Sequence, residues 1–290
     1  MKFKWIILVV ICCFATARFC HKQTQGFSLA KIHKLTSPST SSGSQDQELL
    51  TQLFQRPFTY WGRGLQSFVF LSEDGTYVIK LFNNRYQRKS WYYSLCSHLP
   101  FLEQWARDKI SYYRNQQQKV FQSYSIAYDD MREQTGLIYA HLSLTAYLPD
   151  TITLVDPLHI AHQLDPNQVG FIIQKKAELA YPTLLRLIQN RDTEGAKSAL
   201  ASLLDLILWK FHHGIRDNDP LIRTNIGFIG LTAMQLDVGP LSKDFSIADP
   251  DFMRQEVMRI TASLKNWLNN QQCPELINYL DQELEKALSS

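Results

Sequence analysis

The sequence predicts an α+β protein with a strand-rich first half and a mostly helical second half. Between residues 58 and 82, three short runs of aromatic and β-branched residues are separated by turn-forming residues, a pattern typical of antiparallel strands. From residue 181 onward, apolar residues recur at helical spacing instead. The chain has 290 residues, 45% of them apolar, and is therefore long enough to bury the core of one large domain or of two lobes.

Residues 1–22 are predicted to be a signal peptide or an N-terminal membrane anchor. Lys2 and Lys4 precede the apolar run Trp5 to Ala17, which ends in the cleavage pattern Ala-Thr-Ala. This run is shorter than the roughly 20 residues that a membrane-spanning helix needs, which favours a cleaved export signal over an uncleaved anchor. We therefore expect the protein to be exported, and so secreted, or to associate with a membrane through residues 5–17.

Residues 23–47 are predicted to be a disordered linker before the folded part of the chain. The stretch from Ser37 to Ser44 is rich in serine and also contains proline and glycine, so it offers little apolar surface to bury. A first helix is expected to begin near Glu48, where apolar residues have helical spacing.

The first lobe, residues 48–176, is predicted to be built on antiparallel strands. The predicted strands are Phe58 to Gly62, Ser67 to Leu71 and Thr76 to Phe82, with a turn at residues 73–76. A long helix is expected over residues 99–123, which lack Gly and Pro after Pro100. Two further strands are predicted at residues 136–146 and 169–175, separated by a loop or inserted segment that contains Pro149, Pro157 and Pro166.

The second lobe, residues 177–290, is predicted to be mostly helical. Pro182 suits a first helical turn, and Asp192 to Glu194 opens a second helix with core positions at Ala199, Leu203, Leu206, Ile207 and Phe211. Two closing helices are expected at residues 249–270 and 274–288.

Composition and charge argue against nucleic acid as a partner. The 30 basic and 27 acidic side chains are scattered along the chain, without a basic tract or an RNA-binding aromatic signature. Cys20, Cys96 and Cys273 would remain after cleavage, and their odd number and wide spacing predict neither a disulfide framework nor a zinc site.

Two early segments have the residue types that bind phosphate. Gly62 and Gly64 lie in a strand-turn-strand context, where the missing Cβ atoms let backbone N–H groups approach a phosphate. Lys80 follows the apolar residues Val78 and Ile79 in a strand, so its ammonium group is expected to point to a cleft or an anion.

Two later segments have the residue types that bind a divalent cation. The twelve-residue separation of Asn225 and Asp237 suits a β-hairpin that returns both side chains to one place. Two such oxygen ligands can hold Mg²⁺ when nucleotide phosphates supply other ligands. Asp217 and Asp219 lie in a turn-forming segment before Asn225.

In this order, the four segments resemble the ATP site of the protein-kinase-like superfamily. The resemblance covers roughly residues 58–240 and implies a two-lobed protein-kinase-like fold with an antiparallel-sheet N-lobe. Ser67 stands where the family has a third Gly, and Val238 where it has Phe. In the family pattern the Asn follows the catalytic Asp by five residues. Here Asn225 follows Asp219 by six residues and Asp217 by eight, so Asp219 is the better match to the catalytic Asp.

The resemblance implies an ATP- and Mg²⁺-dependent phosphotransferase. In this resemblance Gly62, Gly64 and Ser67 would cover the phosphates, and Lys80 would orient them. Glu103 would be the helix partner of Lys80, with Asp108 as a weaker alternative. Asn225 and Asp237 would be the Mg²⁺ ligands, and Asp219 the base. Only 51 residues follow Gly239, without an Ala-Pro-Glu motif, which implies a truncated C-lobe. Compact bacterial kinase-like proteins that act on sugars, lipids or antibiotics fit this pattern better than protein kinases, and the acceptor (protein, sugar or lipid) stays open.

Two other functions remain open for the same fold. A pseudokinase would keep it as a nucleotide-binding or protein-interaction module, an alternative favoured by the extra residue between Asp219 and Asn225. A kinase-like nucleotidyl transferase would instead transfer AMP.

Overall fold

The computed structural model describes residues 2–35, 47–144, 148 and 151–288. The chain divides into two units: unit 1 comprises residues 1–115 and 138–175, and unit 2 comprises residues 116–137 and 176–290. The predicted lobe boundary at 176/177 is one residue from the boundary between Lys175 and Lys176. Residues 116–137, which the sequence placed in the first lobe, belong to unit 2.

Unit 1 begins with the helix α1 (Lys2–Gln23). Its segment Trp5–Gln23 is long and apolar enough to cross a membrane, by length and composition, and none of it is buried. A signal sequence near an N-terminus meets the same criterion, so the helix is compatible with either expected role. The helix continues past Ala17, where the apolar run used for the prediction stops.

The linker prediction is wrong for residues 24–35, which pack against the rest of unit 1. Phe27 and Ile32 are 4% and 2% exposed, and isolated β-bridges join Ile32 to Asn83 and Lys34 to Val169. The segment folds because four apolar residues distributed along it bury apolar surface against the core of unit 1: Phe27, Leu29, Ile32 and Leu35. The remainder of the predicted linker, residues 36–46, lies outside the described residues.

The predicted helix and three strands after residue 47 are confirmed. They are α2 (Gln47–Phe54), β1 (Phe58–Arg63), β2 (Ser67–Ser72) and β3 (Tyr77–Phe82), and β2 pairs with both β1 and β3 in antiparallel register. In the turn before β3, the carboxylate of Asp74 accepts hydrogen bonds from the Ser72 hydroxyl and the Thr76 backbone N–H. Gly75 has a φ of 70°, a conformation that glycine adopts without strain.

Two helices follow the first three strands. The helix α3 (Arg85–Cys96) was not predicted, whereas α4 (Glu103–Asp130) covers most of the predicted helix. The part of α4 from residue 116 onward belongs to unit 2, together with the short helix α5 (Arg132–Thr135).

Four further strands complete the sheet of unit 1: β4 (Leu137–His141), β5 (Ile152–Val155), β6 (Ala161–Leu164) and β7 (Phe171–Lys175). The strand order is β4-β7-β3-β2-β1-β5-β6, in which β5 pairs in parallel with β1. The region predicted as a loop or inserted segment contains the antiparallel pair β5 and β6, which the sequence did not predict. Ile152 and Leu154 are fully buried, which explains why this segment joins the sheet. Pro149 lies outside the described residues.

Unit 2 contains the end of α4, six further α-helices and short strands among its described residues. After α4 and α5 they are β8 (Glu178–Leu179), α6 (Ala180–Gln189), α7 (Thr193–His212), β9 (Ile215–Asp217), α8 (Ile222–Asn225), β10 (Ile226–Ile229), β11 (Thr232–Gln235), β12 (Leu241–Lys243), α9 (Pro250–Asn270) and α10 (Pro274–Ala287). The helices predicted from residue 181 onward are confirmed. Asn225 ends α8, and the first strand of the β-hairpin predicted between Asn225 and Asp237 begins at Ile226.

The core of unit 2 forms around α7. The carboxylate of Asp192 accepts a hydrogen bond from the backbone N–H of Gly195 and so caps this helix. The five predicted core positions of α7 are all buried, and they pack in one cluster with residues of α6, α9 and α10. The predicted α+β class is therefore confirmed: unit 1 has a seven-stranded, mainly antiparallel sheet, and unit 2 is mostly helical.

Candidate functional site

In unit 2, the hairpin of β10 and β11 brings Asn225 and Asp237 together. The strands pair from Ile226 opposite Gln235 to Ile229 opposite Thr232, so the residues flanking the hairpin lie side by side. The backbone oxygen of Asn225 accepts hydrogen bonds from the N–H groups of Leu236 and Asp237, at 2.7 and 3.3 Å. The predicted approach of these two residues is therefore present in the backbone.

The side chain of Asn225 connects this hairpin to the loop that contains Asp219. Its amide nitrogen donates to the backbone oxygen of Asp219 at 2.7 Å and lies 3.4 Å from one oxygen of the Asp219 carboxylate. Asn225 is 4% exposed, whereas Asp219 and Asp237 are exposed. Because the nitrogen is used by Asp219, the side-chain oxygen of Asn225 is the atom left to act as a ligand.

A buried ion pair lies beneath this loop. The ammonium group of Lys210 contacts the carboxylate of Asp217 at 2.8 Å, and each side chain is only 4% exposed. The amide of Gln235 accepts from Lys210 and donates to Asp217, at 3.0 and 3.2 Å, and it also donates to the backbone oxygen of Asp237. Gln235 therefore links the ion pair to the hairpin.

Asp217 also determines the conformation of the loop around Asp219. One oxygen of its carboxylate accepts the backbone N–H of Asp219 at 3.0 Å, and the other contacts Lys210 and Gln235. A Cβ added at Gly239 would lie 3.4 Å from the Cβ of Asp219, so the segment after Asp237 passes close to this loop. Both oxygens of Asp217 have partners within the protein, and Asp219 is the carboxylate of the two that is open to solvent.

Tyr124 of α4 lies near enough to Asp237 to respond to its charge. Burial raises the pKa of the Tyr124 phenol above its ordinary value, and the negative charge of Asp237 raises it further. Tyr124 is 1% exposed and belongs to the part of α4 within unit 2.

Lys210, Gln235 and Tyr124 were not predicted as part of a site. Of these, Lys210 had a readable signal, because it falls three and seven residues after the buried Ile207 and Leu203 on the core face of α7. A lysine at such a position needs a buried acidic partner. Gln235 and Tyr124 had no comparable signal, because glutamine in a strand and tyrosine in a helix are common on both the buried and the exposed face.

In unit 1, Lys80 lies on a central strand and on the sheet face opposite the core formed by Phe68, Ile79 and Leu81. It pairs with Val69 of β2 and with Ile172 of β7, while its neighbours in sequence, Ile79 and Leu81, are fully buried. Alternate residues of a strand point to opposite faces, which accounts for this arrangement.

The glycines of the β1–β2 hairpin are not required by packing. A Cβ added at Gly62 would have no atom within 4 Å, and one added at Gly64 would have only the Ser67 hydroxyl, at 3.9 Å. The backbone N–H of Gly64 donates to the backbone oxygen of Ser67, and Ser67 itself is buried. Among the described residues of unit 1, the space beside both glycines is therefore open.

Glu103 lies at the start of α4, and its side chain is 47% exposed. It forms an ion pair with Arg107, one turn further along the same helix. Its assignment as the partner of Lys80 stays a prediction.

The candidate cation ligands of unit 2 are one amide and one carboxylate: Asn225 and Asp237. Within the part of the chain that the structure describes, no group of three or more His, Cys, Asp or Glu side chains is arranged to hold a metal ion. The candidate ligands are therefore too few to coordinate a metal ion by themselves, and oxygen atoms of a bound ligand or of water would have to complete the coordination sphere.

Comparisons with known proteins give only distant similarities. No protein-family model and no curated protein matches the chain. Among solved structures, the chain is similar to a crystal structure of WbdD, with 13% identity, a TM-score of 0.36, and coverage of 79% of this chain and 46% of that one. A second structure, of the bifunctional kinase-methyltransferase WbdD, has 12% identity, a TM-score of 0.34, and coverage of 88% and 47%.

A third similar structure is WaaP in complex with acyl carrier protein. Its identity is 11% and its TM-score is 0.32, with coverage of 89% of this chain and 100% of that one. The chain spans about half the length of the WbdD chains it matches.

Proposed function

We propose that this protein is a kinase-like phosphotransferase that uses ATP and Mg²⁺ to phosphorylate a hydroxyl group. The observation that carries the proposal is the hydrogen-bonded connection of Asp219, Asn225 and Asp237, with an exposed carboxylate on either side of a buried amide. Phosphoryl transfer needs a base for the acceptor and oxygen ligands for the metal, held in a constant arrangement. These three residues supply both within one unit.

Asn225 and Asp237 are the proposed ligands of Mg²⁺. This ion keeps several water molecules and usually binds through one or two protein oxygens together with nucleotide phosphates, which fits the small donor set. When bound, it would neutralise charge on the phosphate oxygens. The hydrogen bond from the Asn225 nitrogen to Asp219 orients the amide so that its oxygen is the atom presented to the cation.

Asp219 is the proposed base that accepts the proton of the acceptor hydroxyl. Its carboxylate is exposed, and its backbone N–H is bound by Asp217. Asp217 is unsuited to this role, because its two oxygens are used by Asp219, Lys210 and Gln235. Asp217 and Lys210 are therefore proposed as positioning residues that determine where Asp219 lies.

The residues of unit 1 are proposed to bind the nucleotide phosphates. The hairpin backbone at Gly62 and Gly64, with Ser67, would lie close over them, because the missing Cβ atoms leave room for a phosphate, and Lys80 would pair with them by charge. Glu103 is kept as the proposed partner of Lys80. The acceptor is a protein, a sugar or a lipid, and no nucleic acid is expected.

A pseudokinase is the second candidate. The observation that favours it is the spacing of six residues between Asp219 and Asn225, where the family pattern has five. A positional error near 1 Å can reduce the rate of an enzyme about a hundredfold. In that case the protein would bind nucleotide or a partner protein without transfer.

Thermal unfolding of the full-length protein with and without MgATP tests nucleotide binding. Ligand at 100 times its dissociation constant adds about 2.7 kcal/mol of apparent stability. We expect this stabilisation in the wild type and its loss in Lys80→Ala and Asp237→Ala. Asp205→Ala is the control, because it removes an exposed carboxylate of α7 outside the proposed site, and it should be stabilised as the wild type is. Equal stabilisation of all four proteins would contradict the proposed site.

Transfer of label separates the three functions. Label from the γ-phosphate of ATP on an acceptor indicates a kinase, and label from the adenylate indicates a nucleotidyl transferase. Binding without either product indicates a pseudokinase. For a kinase, Asp219→Asn should bind MgATP as the wild type does and lose transfer, because the amide cannot accept the acceptor proton.

We also propose that α1 directs the protein to or across a membrane, as an export signal or as an anchor. The mass of the protein purified from its native cell distinguishes the two. A chain shortened by about the first 17 residues indicates a cleaved signal, and a full-length chain in the membrane fraction indicates an anchor.

A further inference from the structure

Unit 1 contains a basic cavity of about 590 Å³ next to the tip of the β1–β2 hairpin. Its lining includes Lys31, Arg63, Arg85 and Arg88, together with His21 near the end of α1. None of the described residues that line it is Asp or Glu. Cavities lined by charges of one sign attract ions of the opposite sign, so this cavity favours an anion.

The cavity lies on the face of the sheet opposite Lys80. Its lining includes Phe68 and Arg63, which pair with each other, and Phe68 also pairs with Leu81 on the core face. Val69, the next residue of β2, pairs with Lys80 and points the other way. The basic cavity and the proposed phosphate contact of Lys80 therefore lie on opposite faces of the sheet, and Gly64, another proposed phosphate contact, lies at the rim they share because it also lines the cavity.

Hydrogen bonds hold the three segments around the cavity in place. The side-chain amide of Asn83 donates to the backbone oxygen of Leu65 at the hairpin tip, at 2.9 Å. The side-chain amide of Asn84 donates to the backbone oxygen of Ala30, and its backbone N–H donates to that of Lys31. The hairpin, the segment after α1 and the start of α3 are thus joined independently of any ligand.

The start of α3 adds to the positive potential. Asn84 precedes this helix of 12 residues without capping it by its side chain, and its first turn has no acidic residue. A helix N-terminus is partly positive, so Arg85 and Arg88 near it are unfavourable for the helix alone. Burial lowers the pKa of Lys31, and the charges of Arg88 and Arg63 lower it further, as expected where cations are crowded.

We propose that this cavity binds a phosphate monoester. Guanidinium groups match phosphate oxygens with paired N–H donors, and a phosphate dianion offsets more of the crowded positive charge than a carboxylate does. The cavity exceeds the volume of a phosphate ion, so it has room for part of the molecule that carries the phosphate. That molecule is either a soluble phosphate ester or a lipid. A lipid is one of the two candidates because His21, which also lines the cavity, belongs to the apolar helix α1.

The first test titrates the full-length protein in neutral detergent with inorganic phosphate, without nucleotide or metal and with chloride adjusted to constant ionic strength. Thermal unfolding reports binding. The cavity variant is Arg63→Gln with Arg88→Gln, and the matched control is Arg56→Gln with Arg114→Gln, which removes the same charge from exposed positions of unit 1. We expect saturable stabilisation of the wild type and the control, and at least tenfold weaker binding by the cavity variant.

The second test identifies the source of the phosphate by adding phosphatidic acid or phosphatidylcholine to the detergent. Stabilisation by phosphatidic acid at lower concentrations than inorganic phosphate indicates a lipid, and equal potency indicates a soluble phosphate. Lys80→Ala should respond as the wild type does in both tests. The proposal is overturned if neither compound gives saturable stabilisation, if the cavity variant and the matched control respond equally, or if Lys80→Ala abolishes the response.

Discussion

The side-chain amide of Asn225 donates a hydrogen bond of 2.7 Å to the backbone oxygen of Asp219. The backbone oxygen of Asn225 also accepts a hydrogen bond from the backbone N–H of Asp237. Asn225 thereby joins the loop after β9 to the end of the β10–β11 hairpin. The two exposed carboxylates of the proposed site are consequently positioned by one buried residue. Their arrangement depends on Asn225 more than on either carboxylate.

Replacing Asn225 by Ala should impair both folding and ligand binding. The substitution removes one of the two donors to the Asp219 carbonyl, which keeps the backbone N–H of Leu221, and we expect a loss of about 0.5–1.5 kcal/mol in the free energy of unfolding. Stabilisation by MgATP should also disappear. Urea denaturation with and without MgATP measures both effects. Asn218→Ala is the control, because its exposed amide also bonds a backbone oxygen, that of Pro240, and it should keep the MgATP response.

Lys210→Met should be strongly destabilising, because it leaves the buried carboxylate of Asp217 unpaired. Breaking a buried ion pair in this way typically costs about 3–5 kcal/mol. Lys243→Met removes an ion pair of the same length, 2.8 Å, whose lysine side chain is 51% exposed, and it should cost less than about 1 kcal/mol.

Denaturation midpoints of the two lysine variants give the comparison. The double variant Lys210→Met with Asp217→Leu should regain part of the stability lost in Lys210→Met, since it removes the unpaired charge. Equal costs for the two lysines would show that the burial of the Lys210–Asp217 pair has no energetic consequence.

Alanine at Gly62 or Gly64 should leave the fold unchanged and weaken nucleotide binding. Neither added Cβ meets an atom closer than 3.9 Å, so the free energy of unfolding should change by less than about 0.5 kcal/mol. A phosphate in contact with this backbone would be displaced by the new methyl groups, and the stabilisation by MgATP should fall.

Gly227→Ala provides the contrast within the same chain. Its Cβ would lie 2.4 Å from the backbone oxygen of Glu178 on the adjacent strand, and we expect a destabilisation of about 1–3 kcal/mol. If Gly62→Ala and Gly64→Ala bind MgATP as tightly as the wild type, the two glycines serve only the turn.

The stability of the protein should fall between pH 7 and pH 5 because of His33. Burial lowers the pKa of this side chain to about 4 against an ordinary value of 6.5, although a hydrogen bond with Gln87 opposes the shift. Between these two values the unfolded chain binds more protons than the folded one, so acidification favours unfolding. The expected contribution over this range is about 2 kcal/mol.

Urea denaturation of the wild type and of His33→Gln at pH 7 and pH 5 measures this contribution. The pH dependence should be smaller in His33→Gln by that amount. His98→Gln, at an exposed position, should keep the wild-type dependence. Burial also lowers the pKa of His141, so some loss of stability at low pH should persist in His33→Gln.

Elements with strong local signals were predicted correctly. The turn at Asp74 and Gly75, the strands that flank it, the cap at Asp192 and the apolar face of α7 all depend on residues within a few positions of one another. The spacing of Asn225 and Asp237 belongs to the same group, because a short hairpin determines where its two ends lie.

Elements that depend on distant partners were missed or assigned wrongly. Residues 27–35 were predicted to be a linker because their neighbours are polar, but a sheet formed mainly by residues 58–82 and 137–175 buries Phe27 and Ile32. The strands β5 and β6 were missed because their backbone hydrogen bonds depend on other strands: β5 pairs with β1 and β6, and β6 pairs with β5.

The order of residue types along the chain was therefore sufficient to predict the α+β class, and the proposal of phosphate chemistry starts from the same order. Tertiary contacts alone decided that Asp217 is buried with Lys210 while Asp219 is exposed, and that four cations of unit 1 share a cavity. The physical reason is that the burial of a charge depends on groups brought near it by folding. A residue's type and spacing do not specify those groups.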